Sequence, residues 1–235
     1  MTDPVDAELY IGDVKVDEYA DCTVQAYCEA QYALTDSQSL KTLLADLLEY
    51  GAAAQAYAQY RLDDLANDSA ICTDATAYDA QSVESVRAFT QTTYEGLYFK
   101  SVALRLGYDV KLVYKVANAS AEGAKVRILT SADGINFTER EVVDLADATK
   151  TGNYYEVVIS AIKASEFAKI FKAELIDGED VVQTLTYSVD SYVARFSADS
   201  SDTLATLVKM AHNYGASAKA YVNGAIDTPS DPLNE

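Results

Sequence analysis

Hydrophobic residues recur at helical spacing in two stretches that lie far apart in the chain. In the first, a row of leucines on one helix face continues into an alanine-rich segment, and a similar row begins at Leu204. The apolar positions of the first row are Leu40, Leu43, Leu44, Leu47 and Leu48. Ser37 or Ser39 can cap its start, where free N–H groups need an acceptor. The periodicity predicts helices over 40–66 and 202–223.

These two helices carry the same phrase. The first reads LKTLLADLLEYGAAAQAY from Leu40 to Tyr57, and the second reads LATLVKMAHNYGASAKAY from Leu204 to Tyr221. Gly51 and Gly215 fall at equivalent positions in the middle of each helix, where glycine costs about 1 kcal/mol relative to alanine. Close approach of a second backbone explains such a glycine. We therefore expect the two helices to pack against each other near these glycines.

A shorter amphipathic stretch precedes each long helix. Thr23-Val24-Gln25-Ala26-Tyr27 resembles Ser188-Val189-Asp190-Ser191-Tyr192, and both lie at nearly the same distance from the glycine of the following phrase. The repeat then includes a whole helical hairpin, about 21–34 with 38–66 and about 188–197 with 201–223. Two such hairpins predict a four-helix unit.

The periodicity between the two copies changes to the alternation of β-strands. Short runs rich in Val, Ile, Tyr and Thr are separated by turn signals such as Asp133-Gly134 and Asp177-Gly178. This pattern predicts an inserted antiparallel β-sandwich of about seven strands. The expected fold class is α+β, a four-helix unit built from two duplicated helical hairpins around that sandwich. The expected domains are 1–73 (first hairpin), 74–186 (β-sandwich), 187–228 (second hairpin) and 229–235 (linker).

Amino-acid composition and net charge exclude some classes of function. Hydrophobic residues make up 49% of the 235, enough for a core, and the net charge of −19 excludes a generic nucleic-acid binder, which needs clustered cations. No run of about 18 apolar residues occurs, so membrane insertion is not expected. All three prolines (Pro4, Pro229 and Pro232) lie at the ends. This placement favours a monomeric module of a longer chain, with linkers on both sides.

Catalytic and metal-binding signatures are not found in the sequence. His212 aligns with Leu48 of the first copy, which favours a packing role. Cys22, Cys28 and Cys72 form no C-x-x-C motif; they are either small buried residues or, in a secreted protein, allow a disulfide between Cys72 and Cys22 or Cys28. The Asp-Gly pairs at 133 and 177 fit hairpin turns better than calcium loops. We therefore expect no enzyme, no cofactor and no metal.

Tyrosine is the strongest remaining signal. The chain has 18 Tyr and 6 Phe but no Trp, and tyrosine rings make good contact surfaces because they are large, rigid and amphipathic. Tyr60 and Arg61 lie together near the end of the first long helix. Tyr154 and Tyr155 follow a turn and point to opposite faces if they lie on a strand. These four are the candidate ligand-binding residues.

Three phrases together resemble a known kind of module. Leu47–Gln55 (LLEYGAAAQ), Tyr187–Val193 (YSVDSYV) and Asn213–Tyr221 (NYGASAKAY) are similar to a module of secreted or wall-attached proteins of anaerobic Gram-positive gut bacteria. Similar gut-bacterial surface proteins include binders of host antibody variable regions that act as B-cell superantigens. That family has no established catalytic residues, so the resemblance implies an extracellular location and no catalytic role for any position here.

Three functions follow as hypotheses. The leading one is a non-catalytic extracellular binding or adhesion module of a bacterial surface protein, with a protein ligand and host immunoglobulin as the specific candidate. The alternative is a carbohydrate-binding module that recognises polysaccharide through Tyr154 or Tyr155. The third is a structural spacer. An exposed tyrosine row on a β-sheet would favour sugar, and a flat apolar patch would favour protein.

Overall fold

A computed structural model of the chain describes residues 2, 5–11, 14–86, 88–89, 96–106, 109–117, 123–198 and 202–225. It divides into two compact units. The helical unit comprises Met1–Asp79 and Phe196–Glu235, and the β unit comprises Ala80–Arg195. The predicted linker 229–235 lies outside the described residues.

In its described residues, the helical unit contains three α-helices and a β-hairpin. Its strands are β1 (Val5–Ile11) and β2 (Val14–Cys22), and its helices are α1 (Val24–Leu34), α2 (Gln38–Ala58) and α4 (Thr203–Ala225). A 3₁₀ turn at Ala70–Asp74 follows α2. Strands β1 and β2 pair antiparallel. Sequence analysis missed this hairpin because its Asp and Glu residues have low β-propensity and hide the alternation.

Capping residues fix the helix limits. The Thr23 hydroxyl accepts a hydrogen bond from the Ala26 N–H at 2.9 Å, and the Ser37 hydroxyl accepts one from the Leu40 N–H at 3.3 Å. Helix α2 ends at Ala58, well before the predicted 66, because Gln59 adopts the left-handed conformation with φ 54°. A left-handed residue at this place is a common helix stop.

The repeated phrases pack on each other as predicted. The rings of Tyr50 and Tyr214 stack with centroids 5.6 Å apart and planes 14° apart, next to the buried Gly51 and Gly215. A Cβ on Gly224 would lie 3.9 Å from the Ser39 hydroxyl, so the end of α4 lies beside the start of α2 and the helices run antiparallel. The buried core beside them consists of Cys28, Leu40, Leu44, Leu48, Ala52, Ala66 and Tyr221.

The predicted duplication of a whole helical hairpin is wrong, although the broad α+β class is confirmed. Helix α3 (Val189–Phe196) lies almost entirely in the β unit, whereas α1 contributes Cys28 to the helical core. The Ser191 hydroxyl holds α3 there, since it accepts from the Val86 N–H and donates to the Val86 carbonyl, each at 3.0 Å. The helical part is therefore not a four-helix unit.

Capping chemistry explains the misleading similarity. Ser188 accepts a hydrogen bond from the Ser191 N–H at 3.1 Å, just as Thr23 accepts one from Ala26. The two short phrases thus share a helix-start signal, which recurs in unrelated helices. Only the long helices repeat as packed elements.

The β unit consists of two antiparallel sheets. The described strands form a five-stranded sheet in the order β3-β11-β10-β6-β7 and a four-stranded sheet in the order β4-β5-β9-β8. Their bounds are β3 Ala88–Phe89, β4 Tyr98–Leu106, β5 Val110–Ala117, β6 Ala124–Ser131, β7 Thr138–Asp144, β8 Thr149–Thr151, β9 Tyr154–Ile162, β10 Ile170–Asp177 and β11 Asp180–Tyr187. Two-residue hairpin turns are typical of such sheets, and Gly178 supplies a positive φ of 62° between β10 and β11.

Alternation places the core of the β unit on one face of each sheet. In β5, Leu112, Tyr114 and Val116 are fully buried, and the same holds for Phe171, Ala173 and Leu175 in β10. The Phe99 N–H donates to the side chain of Gln183 at 2.6 Å, which joins β4 of one sheet to β11 of the other. The opposite face of the four-stranded sheet, called the outer face below, carries Lys111, Val113, Lys115 and Ala117, and Val113 and Ala117 are buried there as well.

Candidate functional site

The end of α2 presents a cluster of exposed apolar side chains. Tyr57, Tyr60 and Leu62 are 50%, 47% and 52% exposed, whereas Leu40, Leu44 and Leu48 earlier in the same helix are buried. Arg61 lies between them in sequence. We call residues 57–62 the α2-end segment. Tyrosine and arginine are the side chains that most often dominate binding energy at protein interfaces.

A buried amide holds this segment in place. The Gln55 side chain accepts from the Ala66 N–H at 2.8 Å and donates to the Asp64 carbonyl at 2.9 Å. The Tyr60 N–H donates to the Gln55 carbonyl at 2.9 Å and closes the end of α2. Gln55 therefore ties both sides of the segment to the helix, which holds the backbone that carries the exposed rings in place before any ligand arrives.

The backbone of the segment is held in an uncommon conformation. Both Gln59 and Arg61 have positive φ values, 54° and 46°, a region that residues with a side chain seldom occupy. The Arg61 guanidinium forms an ion pair with the Asp64 carboxylate, and exposed Asp63 lies between them in sequence. The Gln59 conformation ends α2, so Arg61 is the additional strained position, of the kind that concentrates at functional sites. The segment thus joins aromatic rings, one cation and an acidic border.

The other two predicted site residues lie in the β unit. Tyr154 and Tyr155 begin β9 and project to opposite faces, because neighbouring strand residues alternate. Tyr155 lies on the side of the core with the Lys150 ammonium 5.3 Å from its ring centre. Tyr154 lies on the outer face, opposite Ala117 of β5. The four predicted residues therefore belong to two candidate surfaces, each within its own unit.

Strand register gives Tyr154 a partner that sequence reasoning missed. Ala117 pairs with Tyr98 of β4 on one side and with Tyr154 of β9 on the other. The three residues form a row across three strands of the outer face, with Tyr98 38% exposed and the small Ala117 between the rings. Tyr98 and Tyr154 are far apart in sequence, so only the sheet register reveals the row.

A group of charges lies beside the row. Glu156 of β9 accepts from Arg105 at 3.0 Å and forms an ion pair with Lys115 at 3.2 Å. Burial tends to raise the pKa of Glu156, but the hydrogen bonds from Arg105 and Lys115 outweigh it and lower this pKa below its ordinary value. The carboxylate therefore stays ionised, and the three groups together carry one positive charge.

The two Asp-Gly segments form turns. The Asp133 carboxylate accepts from the N–H groups of Ile135 and Asn136 at 2.9 and 2.8 Å, and from the Asn136 amide at 2.8 Å. These hydrogen bonds lower the pKa of Asp133 and occupy the oxygens that a calcium ion would need. Among the described residues, no cluster of His, Cys, Asp or Glu is arranged to hold a metal ion.

Two cysteines are free thiols. Cys28 is fully buried and Cys72 is partly buried, and neither is in a disulfide. Burial raises the pKa of both thiols to about 11, and the nearby acidic residues add to the effect for Cys72. Both thiols are therefore protonated at neutral pH, and both pack in the helical unit.

Buried polar side chains of the helical unit also have structural partners. Asp46 accepts from the Thr76 N–H at 2.7 Å and from the Thr76 hydroxyl at 2.8 Å, and the Thr76 carbonyl accepts from the Asn213 amide at 2.6 Å. These bonds link α2 to α4 through the strand-like segment after the 3₁₀ turn. His212 packs edge-on against the Tyr78 ring, with centroids 6.1 Å apart.

A shallow cavity of about 250 Å³ opens in the β unit beside α3. Its lining is Ser85, Tyr187, Ser191, Ala194 and Arg195. The Ser191 hydroxyl there is already engaged by the Val86 backbone and by Ser188 at 2.9 Å.

Among the described helices, none is both long and apolar enough to cross a membrane.

No protein-family model, no curated protein and no solved structure matches this chain.

Proposed function

We propose that the chain is a non-catalytic binding module of a secreted or wall-attached bacterial surface protein, and that it takes a protein ligand through the α2-end segment. The observation that carries this proposal is the exposure of Tyr57, Tyr60 and Leu62 on a segment locked by buried Gln55. Exposed apolar side chains that are held rigid offer contact area without the entropy cost of ordering them on binding.

The binding free energy of such an interface is expected to come mainly from a few side chains at the centre of a wider contact. Specific interfaces bury about 800 Å² per partner, and a few aromatic or arginine side chains provide most of the binding energy. The rings of Tyr57 and Tyr60 would serve as the anchors. Arg61 is held by Asp64 at the border of the contact.

Charge indicates the kind of partner. The chain carries a net charge of −19, and Asp63 and Asp68 are exposed near the α2-end segment. A partner with a cationic border around an apolar centre would associate fastest, and its binding would weaken with added salt. Host immunoglobulin remains the specific candidate on the resemblance of the repeated phrases.

A binding experiment with variants tests the proposal. The full chain is immobilised and exposed to pooled human immunoglobulin and, separately, to plant and mucin polysaccharides. We expect immunoglobulin to be retained, and the double variant Tyr57→Ala/Tyr60→Ala to weaken retention at least about tenfold. Tyr27→Ala is the matched control, because Tyr27 is also 50% exposed but lies on α1.

Three results would contradict the proposal. Retention by polysaccharide alone would transfer the function to the alternative hypothesis. Retention by neither would favour a structural spacer. Equal losses in the double variant and in Tyr27→Ala would place the contact away from the α2-end segment.

A further inference from the structure

We propose that the outer face of the four-stranded sheet holds a second binding site, for an oligosaccharide that carries carboxylate groups. The site consists of the row Tyr98, Ala117 and Tyr154 with Lys115 beside it. It lies in the β unit and is independent of the α2-end segment. It would give the module two ligands of different chemistry.

The row has the geometry of a stacking platform. The three residues lie opposite one another on adjacent strands, so Tyr98 and Tyr154 are separated by two strand spacings, roughly 10 Å. That separation is about the length of a linked disaccharide. Ala117 between them is only 5% exposed, so the rings, rather than the alanine, form the surface that a sugar can reach. Two pyranose rings with one further ring between them can therefore contact the two tyrosines at once.

Hydrogen-bonding groups border the platform. Thr151 of β8 lies directly opposite Tyr154, and Ser101 of β4 lies directly opposite Lys115. Both side chains point to the outer face, because residues directly opposite each other on neighbouring strands project to the same side of a sheet. Hydroxyl groups flanking an aromatic platform suit the hydroxyl-rich edge of a sugar chain.

The charge of the face selects an acidic sugar. Lys115 lies two residues before Ala117 on the same face, within about 7 Å along the strand. Arg105 and Lys115 share one carboxylate, Glu156, so an excess positive charge remains beside the platform. In a chain with a net charge of −19, this local excess would attract an acidic group to the platform. A uronate carboxylate held beside the tyrosine rings can pair with Lys115.

Titration of the full chain with defined oligosaccharides tests this site. The probes are hexamers of galacturonate, of mannuronate and of hyaluronan, with the methyl-esterified galacturonate hexamer as the neutral counterpart. We expect at least one acidic hexamer to bind, and to bind more weakly as salt is added. We expect Tyr98→Ala and Tyr154→Ala each to weaken that binding at least about fivefold.

A charge variant separates the role of Lys115 from stacking. Lys115→Met keeps most of the side-chain length and should remove most of the preference for the acid over its ester. Val158→Ala is the control for the platform, because Val158 lies on the outer face of the same strand away from the tyrosines. Lys125→Met is the control for charge, because Lys125 pairs with Asp144 in the other sheet. Both controls should bind within about twofold of the unchanged chain.

The outcomes distinguish this site from the protein-binding proposal. Failure of all three acidic hexamers to bind at millimolar concentration overturns the inference, and so does binding that survives both tyrosine variants. Equal affinity for the acid and its ester overturns the selection by charge. The Tyr57→Ala/Tyr60→Ala variant should leave oligosaccharide binding unchanged, whatever it does to immunoglobulin.

Discussion

Gln55 shows how one buried residue can determine the shape of an exposed surface. Its amide oxygen accepts from the buried Ala66 N–H, and its amide nitrogen donates to the Asp64 carbonyl, which also accepts from the Thr2 hydroxyl at 3.4 Å. The sequence shows Gln55 only as a polar residue in an alanine-rich helix. The same position of the second copy is Lys219, which is exposed, so the repeat gives no hint of this role.

Replacing Gln55 should destabilise the helical unit. Gln55→Ala leaves the buried Ala66 N–H without its hydrogen bond, which costs about 1–3 kcal/mol before any relaxation. We expect a lower midpoint in urea unfolding followed by far-UV circular dichroism. Gln25→Ala is the control, because its amide makes an exposed hydrogen bond with the Asp68 carbonyl. A change of less than about 0.5 kcal/mol in both variants would contradict the structural role of Gln55.

Cys28 and Cys72 allow a chemical test of burial. Because burial raises both thiol pKa values to about 11, very little reactive thiolate exists at pH 8. We therefore expect slow alkylation of these two residues by iodoacetamide, with a rate that rises with pH toward 11 and rises sharply in urea. Peptide mass spectrometry measures each site separately. Rapid alkylation of either residue at pH 8 without urea would contradict its placement in the helical core.

At the scale of elements, the repeated phrase acts as a packing device. The two copies run antiparallel, and their equivalent tyrosines, Tyr50 and Tyr214, stack at the centre of the contact. The local arrangement of the two helices is therefore close to two-fold symmetric. Each copy contributes the same tyrosine and the same glycine to its side of the contact, which explains why these two residues recur together.

A double-mutant cycle measures this contact. Tyr50→Leu and Tyr214→Leu should each destabilise the helical unit, and their effects should fail to add by about 0.5–1.5 kcal/mol, the range for a stacked aromatic pair. The same cycle between Tyr57→Leu and Tyr214→Leu is the control, because Tyr57 is half exposed at the end of α2. Simple additivity of the first pair would refute the stack.

The ion pairs of the five-stranded sheet predict a dependence on pH. Burial tends to raise the pKa of Glu174, but hydrogen bonds from Lys172 at 2.9 Å and Arg127 at 2.5 Å outweigh it and lower the pKa below its ordinary value of 4.5. A lowered pKa in the folded state contributes stability above pH 4.5, which is lost as pH falls through the folded value. The β unit should therefore lose stability on acidification below that pH.

Glu174→Gln isolates this contribution. Its free energy of unfolding should fall less steeply than that of the unchanged chain between pH 4.5 and pH 2, as measured by urea unfolding at each pH. Glu179→Gln, in the exposed turn between β10 and β11, is the control and should keep the original slope. Identical slopes for all three proteins would show that the ion pairs of Glu174 do not stabilise the fold.

Ser188 and Tyr98 show which features of the fold and the candidate site could be predicted from the sequence and which could not. Periodicity predicted both long helices and their contact, because leucine spacing and the glycine are local signals. The phrase at Ser188 led to the wrong prediction of a second helical hairpin. A capping serine indicates where a helix starts, but it does not show on which surface that helix packs. Tyr98 was missed because its row with Tyr154 depends on the pairing of distant strands, which the alternation alone does not fix.

At the scale of the whole molecule, the chain leaves the helical unit near Asp79 and returns to it near Phe196. All residues of the proposed oligosaccharide site lie in the β unit, and all residues of the α2-end segment lie in the helical unit. The two proposed ligands therefore belong to different units of one chain. The described core residues of each unit come from that unit's own elements, which favours two folding units.

Variants of each unit test their independence. If the units unfold separately, Gln55→Ala should lower the urea midpoint of the helical signal in far-UV circular dichroism and leave the stability of the β unit unchanged. Glu174→Gln at pH 5 should lower the stability of the β unit and leave the helical signal unchanged. Backbone amide exchange distinguishes the two, with α2 and α4 reporting on one unit and β5 and β10 on the other. Expression of residues 80–195 alone should then yield a cooperatively unfolding β protein that still binds the acidic hexamer. If both variants shift exchange equally in all four elements, the chain unfolds as one cooperative body, because a defect in either unit would then be transmitted to the other.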